Sequence, residues 1–281
     1  MALRDAVAEG LEGIARPARR LVGSYPRVRS ALARARAKLP RPRPVDPIEQ
    51  VIFEFARSYP QAVFVQVGAN DGLEEDPLGQ EVSSRRWRGV MVEPVPYVFE
   101  SLRDNYGRNP RVALENAAIA EADGARELYY LAQAEPGSPR LPDWYDKLGS
   151  FHKEVILKHR PAIPGFDERL VTIDVPCITF ETLCRKHGLT AVDLIQTDTE
   201  GHDFEILKLV DFDALRPRIV MYEHLHFDEA TRAACSEHLR DHGYEELGDV
   251  VNTICLRTVD LTRRDRALHR LWTRLKTHAA A

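Results

Sequence analysis

Residues 65–72 (VQVGANDG) and Glu93 bring glycine, amide and carboxylate groups together at a spacing suited to a ribose-bearing ligand, and residues 193–201 (DLIQTDTEG) add further carboxylates. In the first block, Gly68 and Gly72 let the backbone take positive φ and approach a ligand closely, while Asn70 and Asp71 suit capping the turn or meeting a polar ligand group. Glu93 follows the next apolar run, about twenty residues past the glycines, where an acid accepts hydrogen bonds from ribose hydroxyls through its two oxygens. In the third block an apolar run ends in Asp198 and Glu200, either of which can take a proton from a substrate hydroxyl or hold a divalent cation. Each block also has a plainer use: a turn without a ligand, a solvated acid at a strand end, and a helix cap at Glu200 or Asp203.

Residues 222–226 (YEHLH) follow another apolar run, and strand alternation sends Glu223 and Leu225 to one side and His224 and His226 to the other. With Asp198 these histidines could form a metal site or supply a general base; paired histidines more often serve at surfaces or in loops, and no metal ligand is assigned. Residues 149–152 (GSFH) and Lys158-His159 add a candidate substrate contact at His152, against the commoner role of a loop histidine.

These groups need a scaffold that delivers strand ends to one place. Short, nearly continuous apolar runs at 62–67, 89–92, 112–114 with 117–120, 192–196 and 218–222 suit strands buried on both faces of a parallel sheet. Helical stretches at 76–86, 96–105 and 203–210 separate most of them, so the fold class is α/β, doubly wound, with right-handed crossovers and helices on both faces. A helix beginning at Pro47, capped by Asp46, leads in. Residues 121–178 break the rhythm: 126–131 and 171–175 read as strands around a segment rich in Pro, Gly and aromatics. Residues 132–170 are therefore an irregular insertion and the candidate lid or substrate segment. Residues 1–45 form a basic extension of surface helices closed by the linker 40–44 (PRPRP), 46–261 the main domain, and 262–281 a basic amphipathic helix.

The charge is unevenly spread. The ends carry +8 (residues 1–45) and +5 (262–281), which leaves −17 for residues 46–261 of a chain with net charge −4. An acidic body argues against a nucleic-acid partner, because duplex binding draws its affinity from a basic face. The basic ends remain free to touch phosphate or an anionic membrane surface peripherally, and nothing sets an oligomeric state. Cys177, Cys184, Cys235 and Cys255 form no C-x-x-C pair, which suggests a reducing compartment, and no apolar run approaches the roughly 18 residues of a spanning helix. A cytoplasmic location is the expectation.

Taken in order and spacing, residues 65–72, Glu93-Pro94, 116–119 (NAAI), 175–183 (VPCITFETL), 193–201 and 219–223 (IVMYE) resemble the FkbM family of O-methyltransferases across about residues 60–225. The resemblance implies a seven-stranded, mostly parallel, Rossmann-like methyltransferase sheet and the cofactor S-adenosyl-L-methionine. Gly68, Asn70 and Gly72 would cradle its methionine end with Asp71 beside them, Glu93 its ribose, and Asn116 and Ala117 would lie along its adenine. Asp198 and Glu200 match the family's Asp-x-Glu-Gly block beside the methyl group. Many members carry Asp where this chain has Gln66, so no charged role is expected there. The expected reaction is O-methylation of a hydroxyl on a sugar, glycan or secondary metabolite, with Asp198, Glu200, His224 and His226 as base or substrate anchors. An NAD-dependent oxidoreductase or nucleotide-sugar enzyme is the first alternative, weakened because residues 68–72 lack the G-x-G-x-x-G spacing. A non-catalytic cofactor-binding scaffold is the second, and the intact pair Asp198 and Glu200 counts against it.

Overall fold

The structure is a computed structural model that describes residues 46–73, 76–135 and 138–279. The basic extension and the Pro/Arg linker expected over 1–45 lie outside the described residues.

Asp46 opens the domain as expected: its side chain accepts the Glu49 amide at 2.9 Å and Pro47 occupies the first helical position of α1 (Pro47–Ser58). The chain continues through β1 (Val63–Val67), α2 (Gly79–Ser84), β2 (Arg88–Val92), α3 (Pro96–Tyr106) and β3 (Val112–Glu115). It then forms β4 (Ala118–Ile119), β5 (Gly124–Leu131), β6 (Gly149–Ser150), α4 (Lys153–Leu157), α5 (Phe166–Arg169) and β7 (Leu170–Ile178). The last part holds α6 (Phe180–His187), β8 (Leu194–Thr197), α7 (Asp203–Lys208), α8 (Phe212–Leu215), β9 (Ile219–Glu223), α9 (Glu229–Asp241), β10 (Tyr244–Gly248), β11 (Asn252–Arg257) and α10 (Arg266–Ala279).

Seven strands form one sheet in the order β10-β11-β9-β8-β1-β2-β3. Strands β9, β8, β1, β2 and β3 are parallel, while β11 runs antiparallel to β9 and β10 antiparallel to β11. From β1 the chain builds outward to β2 and β3, then crosses to the other side for β8 and β9. The switch point therefore falls between β1 and β8, where doubly wound sheets bind ligands beyond the carboxyl ends of their strands.

The apolar runs read as strands because both faces are covered. Phe64, Met91, Leu194 and Met221 point into one core with α1 and α10; their neighbours Val65, Val90, Ile195 and Val220 point into the other with α6 and α9. The C-terminal helix joins the first core: Leu268 and Trp272 are buried and the Trp272 Nε1 donates to Glu245 at 3.0 Å. Its apolar face is thus turned into the domain. Among the described residues no helix is long and apolar enough to cross a membrane.

Two expectations change. Residues 112–114 and 117–120 do not belong to one sheet: the chain turns at Asn116, so β3 stays with the main sheet while β4 enters a second one of order β4-β7-β5-β6. Residues 132–170, expected to be irregular, are partly organised. Leu131, Leu141, Tyr145, Leu148, Ile156, Ile163 and Phe166 form a small core of their own under β5 and β7.

Candidate active site

The turn after β1 fixes the floor of the site. Gly68 sits at φ +74, and a Cβ there would lie 1.7 Å from the carbonyl oxygen of Asp198, so only glycine lets β1 and β8 close at this point. The Gly68 and Ala69 amides both reach the Val92 carbonyl at 3.0 Å, tying the turn to the end of β2. Asn70 follows in the left-handed region at φ +49.

Glu93 leaves the end of β2 and turns back under this loop. One carboxylate oxygen accepts the Asn70 amide and the other the Val95 amide, each at 2.9 Å. Its side chain is buried, and burial pushes its pKa up to about 7 although the two amides pull it down. Each oxygen keeps a second acceptor position for a ligand hydroxyl.

Next to this floor lies a cavity of about 340 Å³ at the β1/β8 switch point. The strand ends line it with polar side chains: Gln66 and Gln196 are register partners on β1 and β8, both buried, and neither Oε1 has a hydrogen-bond partner among the described residues. One oxygen of Asp76 likewise lacks a hydrogen-bond partner among the described residues, and burial raises its carboxyl to about 6, with the Gln66 side chain and the Leu78 amide opposing. Asp198, Glu200, Glu223 and His226 form the far wall. Burial, and then the charges of Glu200 and Asp203, raise the Asp198 pKa well above the usual carboxylate range, with Lys147 opposing. Asp198 is itself exposed where it lines the cavity. Burial and the neighbouring carboxylates push Glu223 up to about 10. His226 Nε2 stands 2.9 Å from Glu200.

The second sheet and the insertion close the other side. Trp144, Lys147, Ser150, Phe151 and His159 reach the cavity from residues 141–159, and Ser150 Oγ donates to the Glu200 carbonyl at 2.7 Å. His202 also lines it, with burial lowering its imidazole to about 4.

Of the expected site residues, Gly68, Asn70, Glu93, Asp198, Glu200 and His226 meet around this one cavity. Others are placed elsewhere. Asp71 accepts the Leu73 amide, and Gly72 at φ +72 faces Leu102 and Tyr106 of α3. Asn116 uses its amide to hold the Glu93 and Pro94 carbonyls at 2.8 and 3.2 Å; Ala117 is buried beside it, and Ala118 and Ile119 line the cavity instead. His224 is buried away from the cavity with Nδ1 on Thr253 Oγ1 at 2.9 Å. The expected alternation fails there because β9 ends at Glu223 and a turn follows, in which the Phe227 amide reaches the His224 carbonyl. Asp193, at the opposite end of β8, pins β1 by accepting the Val63 amide at 2.8 Å. Gln66 and Gln196 carried a signal the sequence reading did not use: a polar residue inside an otherwise apolar, fully buried strand.

A parallel core edged by an antiparallel hairpin, with a polar cavity at the switch point, defines the class: a Rossmann-like methyltransferase fold. The sequence model of the Methyltransferase FkbM domain matches residues 66–246, and the chain belongs to that family. Among solved structures, a methyltransferase FkbM from Methylobacillus flagellatus KT is 13% identical with a TM-score of 0.43, over 70% of this chain and 44% of that one. This chain therefore spans less than half the length of that protein. A precorrin-6y C5,15-methyltransferase from Geobacter metallireducens GS-15 is 15% identical, TM-score 0.36, over 74% and 86% of the two chains. A putative RNA methyltransferase from Pyrococcus horikoshii is 10% identical, TM-score 0.39, over 83% and 98%. No curated protein matches the sequence.

Proposed function

We propose that the chain binds S-adenosyl-L-methionine at the Gly68–Glu93 end of the cavity and methylates a hydroxyl oxygen of a small-molecule or glycan acceptor at the Asp198–Glu200–His226 end. The observation that carries this reading is the cavity's donor-hungry floor. Gln66, Gln196 and Asp76 each hold a buried acceptor atom without a partner, beside a glycine that leaves no room for a Cβ. Buried acceptors left unpaired are costly, so such a floor suits a ligand that brings hydroxyl donors and positive charge.

The residues present fit that cofactor. Glu93 would accept the ribose hydroxyls through its remaining lone pairs, Ala118, Ile119 and Leu128 offer an apolar wall for a purine, and Gln66 and Asp76 would receive an ammonium group. When bound, the cofactor supplies an electrophilic methyl group, so the protein's task is to align an oxygen with it and to accept a proton late. Asp198, with a raised pKa and a surface open to the cavity, is the proton acceptor. Glu200 and His226 orient the acceptor oxygen, while Trp144, Phe151 and Leu225 flank the acceptor's body and limit water.

Incubation with methyl-labelled cofactor and a panel of sugars, glycans and hydroxylated metabolites tests the reading. Transfer to a hydroxyl is expected, and Asp198→Asn should lower kcat by about 10²–10⁴-fold while S-adenosylhomocysteine binding stays within a few-fold. Loss of binding together with turnover would move Asp198 to the cofactor's side, and transfer to nitrogen acceptors alone would overturn the assignment of the reaction.

A further inference from the structure

His159, Glu200 and His226 come from three separate stretches of chain: the turn after α4, the turn after β8 and the turn after β9. One ligand atom from each lies within 4.8 Å of the others, all in the cavity wall. The His226 side chain is only 5% exposed, and its Nε2, although 2.9 Å from Glu200, lies off the line of a hydrogen bond and has no partner in that sense. The His159 Nε2 is also buried without a hydrogen-bond partner. Two imidazole nitrogens that lack a hydrogen-bond partner among the described residues thus converge on one carboxylate.

The backbone is shaped to produce this convergence. Glu200 adopts φ +52, a left-handed conformation that costs a non-glycine residue about 1 kcal/mol or more. Ser150 holds it there through the Glu200 carbonyl. Gly201 follows at φ +98, and a Cβ on it would already stand 3.3 Å from His226 Cβ, so the glycine is what lets the two turns approach. The His159 ring rests against Trp144 with centroids 5.2 Å apart, which fixes its direction.

We propose that His159, Glu200 and His226 hold a divalent transition cation, through two imidazole nitrogens and a carboxylate, at the acceptor end of the cavity. Bonds of about 2.0–2.2 Å to such an ion set its donors roughly 3–4 Å apart, which small side-chain movements reach from the observed spacing. Two imidazoles select zinc, iron, nickel or copper over magnesium, calcium and manganese, which prefer oxygen-rich sets. Three protein donors leave coordination positions facing the cavity. The cation's task, polarising the acceptor hydroxyl beside Asp198, rests on the methyl-transfer reading; its binding does not.

The test is titration of the purified chain, stripped with a chelator, by Co²⁺ as a spectroscopic probe and by Zn²⁺ in competition. One saturable equivalent is expected, with His159→Asn and His226→Asn each weakening it by at least about tenfold. S-adenosylhomocysteine affinity of the metal-free variants should stay within a few-fold of the parent, which separates loss of the cation from loss of fold. Nitrogen couplings in the electron spin echo of the Cu²⁺-loaded parent protein read the imidazoles without any variant. No saturable binding, no nitrogen coupling, or binding indifferent to both histidines and abolished by Glu223→Gln would overturn the proposal, the last by moving the ion to the all-oxygen set Asp198, Glu200 and Glu223. Failure of S-adenosylhomocysteine to bind the metal-free parent would speak against the cofactor reading and leave the cation result standing.

Discussion

Glu93 accepts the amides of Asn70 and Val95, one on each carboxylate oxygen, and lines the cavity with an acceptor position left on each. Its pKa of about 7 lies above the ordinary value, so in the free protein the carboxyl is largely protonated below neutrality. A ligand that needs the ionised form must then bind more tightly as pH rises through 7. Affinity for S-adenosylhomocysteine should increase by up to about tenfold per pH unit between pH 6 and 7 and level off near pH 8, and Glu93→Gln should flatten the profile. Titrations at three pH values would check this, and a flat profile in the parent would count against the role. Gly68 gives the sharper steric case. Gly68→Ala sets a Cβ 1.7 Å from the Asp198 carbonyl oxygen at a positive φ, so loss of ligand binding or of the fold is expected, read by thermal unfolding with and without S-adenosylhomocysteine. Both residues were legible in the sequence as a glycine turn and a strand-end acid. His224 illustrates the limit, since alternation holds only while the strand lasts and β9 stops one residue before it.

Elements that pair locally were easier to read than those that depend on a distant partner. The five parallel strands announced themselves as apolar runs because both faces are covered, and α1 announced its start through Asp46 and Pro47. Strands β10 and β11 did not, because they form by pairing in series, β11 on β9 and β10 on β11 at the sheet edge, and neither did the switch of β4 into a second sheet, which follows the turn at Asn116, held to the Glu93 carbonyl. The C-terminal helix was visible as amphipathic, but its choice of the domain as partner was not. Trp272, 1% exposed, makes that choice testable: Trp272→Ala should cost about 3–5 kcal/mol in denaturant unfolding and leave ligand affinity unchanged once folded. Asp76, just ahead of α2, should behave in the opposite sense. Its folded-state pKa of about 6 exceeds the ordinary 3.8, so its stability is intact below pH 4 and is lost as pH rises toward 6. Asp76→Asn keeps the acceptor for the Leu78 amide and should stabilise the chain by about 1–3 kcal/mol at pH 7.5, with less than half that gain at pH 4.5. An equal gain at both pH values would contradict the origin assigned to the shift.

At the scale of the whole molecule, the −17 carried by residues 46–261 is partly concentrated where it matters. Asp76, Glu93, Asp198, Glu200 and Glu223 all line one cavity at the switch point, while Glu115 and Asp265 are answered by Lys186, His187 and Arg218 elsewhere. Composition showed the acidic excess but not its focus, because the focus arises only when the ends of β1, β2, β8 and β9 are brought side by side. The same geometry accounts for His159, whose segment had no periodicity to read and which reaches the cavity only through the small core that organises the insertion. The central claim is that this cavity takes an adenosyl cofactor through Glu93. Calorimetric titration of the purified chain with S-adenosylhomocysteine, repeated on Glu93→Ala, tests it most directly. Saturable one-to-one binding that weakens by about 1–3 kcal/mol in the variant is the predicted result. A folded protein that shows no binding, or one that binds equally well without Glu93, would contradict it.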